Sequence, residues 1–312
     1  MQKMKARFAI KAAITVVLIL VIFYFVDANK IAERLKSIDL GLLFKAAILF
    51  PVIVFIGCEK WRQIIKDGGI KATPWETIRS FLGGAAMGLL TPGRVGELGR
   101  VIFLKKEELG SLVGIAILDK VIDLNVTLWL AIYGSFVVFD GVVPYLFLTV
   151  GLLGGGFLTF PHMIGKIAED MFNGKFLVKK LGLLIEGMNA VRAKTVLLCI
   201  FYRFLASMID MIQYYFLISA FVPIKLDQVF VVYPLIILTN LLQLTVGNIG
   251  VREGVAAILL SRYGIPPAVA VSASLLLFML NSLIPGLLGV VFLPDAFDGM
   301  RKKKRTCLCP KH

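Results

Sequence analysis

Long apolar runs alternate with short polar links along the whole chain. Six of the runs approach the length of about 20 residues that crosses a bilayer as a helix. They are Ala9–Val26, Leu40–Cys58, Ser111–Phe139, Val142–Phe160, Thr195–Phe221 and Pro266–Leu293. Two more apolar stretches, Pro74–Thr91 and Val229–Thr245, run into glycine-rich motifs that break them. A soluble core helix explains one such run but not six. The pattern therefore predicts an all-α integral membrane protein. Composition agrees: 58% of the 312 residues are hydrophobic and 17% are charged, against about 25% charged in soluble domains.

Charge gives the orientation. Lys and Arg concentrate before the first run, in the segment around Lys60–Arg79, in the link around Lys166–Lys194, and in the tail Arg301–Lys311. The positive-inside rule places all four on the cytoplasmic side. The link at Asp140-Gly141 carries no basic residue, and Val222–Gln228 carries only Lys225. These links, and the charge-balanced Asp27–Asp39, fall outside. One full span, Ser111–Phe139, already accounts for the crossing between Lys60 and Asp140. Pro74–Leu109 must then enter and leave on one side, as a re-entrant hairpin. The same count makes Val229–Tyr263 a hairpin entering from the other side. Both termini are cytoplasmic. The N-terminal run resembles a signal peptide but is read as a retained span, because the repeat below needs it. The net charge of +14 is explained by orientation, so nucleic acid is not an expected partner.

The two broken segments carry related motifs. Thr91–Arg100 reads TPGRVGELGR and Thr245–Gly254 reads TVGNIGVREG, 154 residues later. The same shift carries the third span onto the sixth. The expectation is an inverted repeat, with residues 1–139 as the first unit and residues 140–298 as the second. Residues 299–312 form a basic tail. The first unit holds the hairpin at 74–109. The second holds the hairpin at 229–263 and an amphipathic cytoplasmic link at 161–194. Inverted repeats with broken helices mark transporters, since unwound backbone survives in a membrane only where it lines a cavity or is buried in protein. Chance matches, or glycines serving only close helix packing, are the plainer reading.

Charges inside the membrane are costly and mark candidate sites. The first motif supplies Gly93, Arg94, Gly96, Glu97 and Arg100, and the second Gly247, Asn248, Gly250, Arg252 and Glu253. These form the candidate lipid-headgroup site, because arginine forks suit phosphate. A polar network is expected from Asp119, Lys120, Asp123, Arg203, Asp210 and Asn281, in which the aspartates and Arg203 serve first in ion pairing, with Asp119 or Asp123 neutralising Arg94, Arg100 or Arg203. Asp119 and Asp123 share one helix face by their spacing, as do Arg203 and Asp210. Trp61 and Arg62 read as an interfacial anchor. Cys58 and Cys199 lie in apolar runs as packing residues, and Cys307 and Cys309 lack a fourth ligand for a metal clip. No catalytic residue, metal or cofactor is expected.

At these residues the chain resembles the lysylphosphatidylglycerol synthase transmembrane family, the flippase-like domain proteins. The resemblance rests on Thr91–Glu97, on Leu118-Asp119-Lys120 and on Gly250–Gly254, and it covers nearly the whole chain. Larger members continue into a soluble domain that transfers an aminoacyl group to lipid. This chain stops at His312, so that activity is not expected of it. The resemblance implies a flippase-like protein of the cytoplasmic membrane that binds and moves an anionic phospholipid or polyprenyl phosphate. Lys120 stands where the family commonly has arginine, and Asn281 near where it often has another. Two alternatives remain: a membrane-embedded lipid-modifying enzyme, and a non-transporting subunit for a soluble transferase partner. A homo-oligomer is compatible with either.

Overall fold

The computed structural model describes residues 38–104, 109–159, 175–241 and 250–294. The first expected span, the second motif's Gly247 and Asn248, and the tail with Cys307 and Cys309 lie outside them. Every element among the described residues is helical. In chain order these are α1 (Leu40–Asp67), α2 (Pro74–Leu90), a 3₁₀ segment (Pro92–Phe103), α3 (Leu109–Val138), α4 (Val143–Thr159), α5 (Lys175–Asn189), α6 (Ala193–Ser219), α7 (Leu226–Leu238), a short 3₁₀ turn (Thr239–Leu241), α8 (Val251–Ser261) and α9 (Pro267–Phe278). A π-helical turn (Met279–Leu283) then leads directly into α10 (Ile284–Val290).

Among the described residues, four helices are long and apolar enough to cross a membrane: Leu40–Asp67, Gly110–Val138, Ala193–Ser219 and the continuous Pro267–Val290. Their outer faces display large apolar side chains such as Phe44, Phe55, Phe201 and Leu287. Such a surface suits lipid and would aggregate in water. The expected span at Val142–Phe160 appears as the shorter apolar helix α4.

Local signals set the helix starts. Asp39 caps α1, its carboxylate accepting from the Gly41 and Leu42 amides. Thr73 and Glu76 form a capping box at the start of α2, with Pro74 in the first turn, where a missing N–H costs nothing. α2 and the 3₁₀ segment fold back on each other as a tight hairpin. A Cβ on Gly96 would collide with the Met87 carbonyl, and one on Gly84 would meet the Arg100 side chain at 2.6 Å.

α1 and α6 lie side by side and antiparallel. At one end the Asp39 amide donates to the Ala220 carbonyl at 3.0 Å. At the other, Arg192 binds Asp67 through its backbone N–H at 2.7 Å and through its guanidinium, a hydrogen bond that holds Arg192 above the usual arginine pKa. Shifting Leu40–Asp67 by 154 gives 194–221, against Ala193–Ser219 observed for α6. The same shift carries α3 to 263–292, against 267–290 for α9 through α10.

Packing between the halves is reciprocal. α3 of the first half packs on α7 of the second, and α10 of the second packs on α2 of the first. Each contact is a backbone approach at a glycine: Gly134 faces the Val231 carbonyl, and Gly289 faces that of Leu82. Small residues of this kind let membrane helices come close. α5 packs across the start of α3, with Gly114 against the Leu184 carbonyl and Gly187 against that of Ser111. The described part of the expected amphipathic link is thus a packed helix.

Two apolar cores result. One gathers α6 through α9 around Tyr214, Val232 and Leu260. The other gathers the end of α1, the 3₁₀ segment and the start of α3 around Trp61, Leu112 and Ile122. The charged residues of the spans collect between them.

Candidate functional site

α1 keeps its helix well past Cys58, and residues 60, 61, 64 and 65 are buried. This overturns the reading of Trp61 as an interfacial anchor. Its ring is fully enclosed, and its indole N–H donates to Ser80 Oγ at 3.0 Å. Ser80 Oγ in turn donates to the Arg100 carbonyl at 2.8 Å. The Arg100 guanidinium lies 3.6 Å over the Trp61 ring and meets Asp119 at 2.5 Å. The hairpin is thereby fastened to both α1 and α3.

Lys60 completes this inner group. It reaches Asp119 at 3.0 Å and also contacts Asp123. One carboxylate facing two cations satisfies the rule that buried charges must be paired. Around it lies a second, more open group. Lys120 contacts Glu97 and lies 3.6 Å from Asp123. The side chains of Lys120, Asp123 and Arg203 are 39%, 24% and 21% exposed, against 6% for Lys60 and 1% for Asp119. The inner group is closed and the outer group faces open space.

That space is a cavity of about 600 Å³ between the two halves. Its charged lining comes from α1, α3, α6, α8 and the 3₁₀ segment, and its apolar lining includes Phe50, Val54, Phe81 and Ile237. Several of its polar groups sit near the midpoints of the long helices: Asp123 within 110–138, Arg203 and Asp210 within 193–219, and Asn281 within 267–290. Asn281 occupies the π-helical turn, a distortion frequent at functional sites. Its amide donates to Gln213 Oε1 at 2.7 Å and to Asp210 at 3.3 Å.

The described part of the second motif, Gly250–Gly254, is held by contacts of its own. Gly250 has φ of 93°, a left-handed conformation that glycine adopts freely. Its N–H donates to Glu253 at 2.7 Å. Arg252 pairs with Glu253 at 2.5 Å, donates to the Ser274 carbonyl at 3.1 Å and lies near the Phe278 ring. Tyr214 OH shares a 2.8 Å hydrogen bond with Ser274 Oγ. Arg100 thus fastens the 3₁₀ segment, and Arg252 the start of α8, to the following long helix, and each has a carboxylate partner within the chain.

Of the candidate residues, Glu97, Arg100, Lys120, Asp119, Asp123, Arg203, Asp210, Asn281 and Arg252 line the cavity. Gly96 serves the hairpin turn, and its N–H donates to Thr91 Oγ1 at 2.7 Å. Gly93 and Arg94 fall in the 3₁₀ segment, and Glu253 beside Arg252. Lys60, Gln213 and Tyr233 were missed. The spacing of buried positions 60, 61, 64 and 65 was the available signal for Lys60, since it continues a helical stripe.

A family model of the lysylphosphatidylglycerol synthase transmembrane region matches residues 8–289. The UPF0104 membrane protein MJ1595 of Methanocaldococcus jannaschii is 23% identical, over 97% of this chain and 99% of that protein. The UPF0104 membrane protein PH1989 of Pyrococcus horikoshii is 22% identical, over 88% of this chain and 93% of that one. No solved structure matches the chain. The family match spans most of the chain and reaches into all four long helices, so this multi-pass membrane protein belongs to the lysylphosphatidylglycerol synthase transmembrane-region family.

Proposed function

We propose that the protein is a flippase-like carrier that binds an anionic lipid, a phospholipid or polyprenyl phosphate, in the cavity between its halves and passes it across the cytoplasmic membrane. The observation that carries this reading is the cavity itself, lined by both charged and apolar side chains, at the midpoints of the long helices. A headgroup fits the charged groups and chains the apolar lining. Ligand sites at the junction of two repeats, near the bilayer midplane, are the habit of secondary transporters.

The topology belongs to the same proposal. The two glycine-rich segments are re-entrant hairpins, and residues 1–139 and 140–298 are inverted repeats within six spans, with both termini cytoplasmic. The 154-residue correspondence of α1 with α6, their antiparallel packing, and the reciprocal glycine contacts support it. No residue is assigned a catalytic role.

The test is reconstitution into liposomes carrying labelled phospholipids or a labelled polyprenyl phosphate. Label should cross faster than in empty liposomes, and an Asp123→Asn variant should be slower. If no lipid of either class crosses above the empty-vesicle rate, transport is excluded.

A further inference from the structure

Arg203 and Asp210 differ from every other charged pair in the cavity. Asp119 has cations at 2.5 and 3.0 Å, and Glu253 has one at 2.5 Å. Asp123 and Glu97 touch lysines directly. Asp210 lies 3.9 Å from Arg203, and its remaining contact is the 3.3 Å hydrogen bond from Asn281. Arg203 Nε is buried with no hydrogen-bond partner among the described residues, and its second carboxylate, Asp123, is 3.8 Å away. Asn281 Oδ1 is likewise a buried acceptor with no donor. One spot in the cavity thus holds an unused donor, an unused acceptor and a poorly compensated carboxylate. A guanidinium held loosely by two carboxylates is the cation most readily given to an incoming anion. A buried carboxylate without a close cation is the one most readily neutralised by a proton.

We infer that Arg203 is the residue that holds the anion, a phosphodiester, and that Asp210 takes up a proton as the anion binds. The balance is simple. Asp210 passes from carboxylate to carboxylic acid with a proton from water, and Arg203 exchanges its carboxylate neighbour for the phosphodiester monoanion. The charge of the cluster does not change, so the cavity loads electroneutrally. The new Asp210 hydroxyl is a donor of the kind that the Asn281 amide lacks. The other charged or titratable groups lining the cavity are Lys60 of α1, Glu97 and Arg100 of the 3₁₀ segment, Asp119, Lys120 and Asp123 of α3, Tyr202 of α6, Tyr233 of α7 and Arg252 of α8. Lys60, Asp123 and Arg252 are already engaged in closer pairs, which leaves the proton to Asp210.

This inference rests on the lipid-binding reading and deepens it. The test measures binding to the full-length protein in an uncharged detergent, from mildly acidic to mildly alkaline pH. The two probes are dihexanoyl phosphatidylglycerol and dimethyl phosphate, whose single charge does not titrate in that range. Wild-type affinity should fall with rising pH, approaching about tenfold per unit for one linked proton. Asp210→Asn should bind independently of pH, at the acidic wild-type level. Arg203→Gln should lose about tenfold or more, the loss of a charged hydrogen-bond partner. The double variant Arg203→Gln with Asp210→Asn keeps the charge balance, guarding against misfolding, and should stay weak.

Binding by the lipid probe alone assigns the site to a headgroup, and equal binding by both assigns it to any phosphodiester. Either result supports the inference. If the double variant binds as wild type does, or Asp210→Asn keeps the pH slope, the inference falls while lipid binding stands. If wild type binds neither probe at any pH, both fall.

Discussion

Asp119 is enclosed between Lys60 and Arg100, and the charge on one side chain holds two cations in place. Asp119→Asn leaves those cations buried without a carboxylate, which should lower stability by about 3–5 kcal/mol. The readout is the thermal unfolding midpoint in detergent. Asp123→Asn opens onto the cavity instead, and should lower stability by about 1 kcal/mol or less. Equal losses would abolish the distinction between an inner structural group and an outer cavity group. Trp61→Phe keeps the ring under Arg100 but removes the indole donor to Ser80, and should cost about 1–2 kcal/mol. The charged pairs on one helix were legible from spacing alone, as with Asp119 and Asp123. Partners between helices were not. Arg100 and Arg252 read as ligand-facing because a motif shows which residues are present and not which carboxylate lies across from them. Lys60 was hidden for a different reason: a basic residue at the end of an apolar run looks like an orientation signal, and only the onward course of α1 turns it inward.

Among the elements, the reciprocal glycine contacts make a sharp prediction. Gly289→Leu has no room beside the Leu82 carbonyl, and Gly134→Leu has none beside that of Val231. Either should separate a hairpin helix from its long partner and lower the unfolding midpoint. Gly156→Ala meets nothing within 4 Å, so the midpoint should hold or rise slightly. A similar fall in all three would mean that glycine matters here for reasons other than close approach. The sequence made the long helices plain, because a span is a simple count of apolar residues. It marked the two broken segments through glycine and charge. It did not reveal where the 3₁₀ segment touches α2, or that α5 is seated on α3, since both depend on contacts distant in sequence.

Across the whole molecule, the orientation can be read with single cysteines. Lys71→Cys and Lys225→Cys both lie at exposed positions and should label from opposite sides of the membrane, in a background with Cys307 and Cys309 changed to serine. Cys58 and Cys199 are buried and should stay silent. Labelling of both sites from one side would dismantle the inverted repeat. The antiparallel pair of α1 and α6 has a mechanical meaning in such an arrangement. It is pinned at both ends, by Asp39 with Ala220 and by Asp67 with Arg192, so the two helices resist sliding along each other. They act as an axle. The helices α2 and α7 and their long partners, which approach across the halves at Gly289 and Gly134, are the parts left to swing about it.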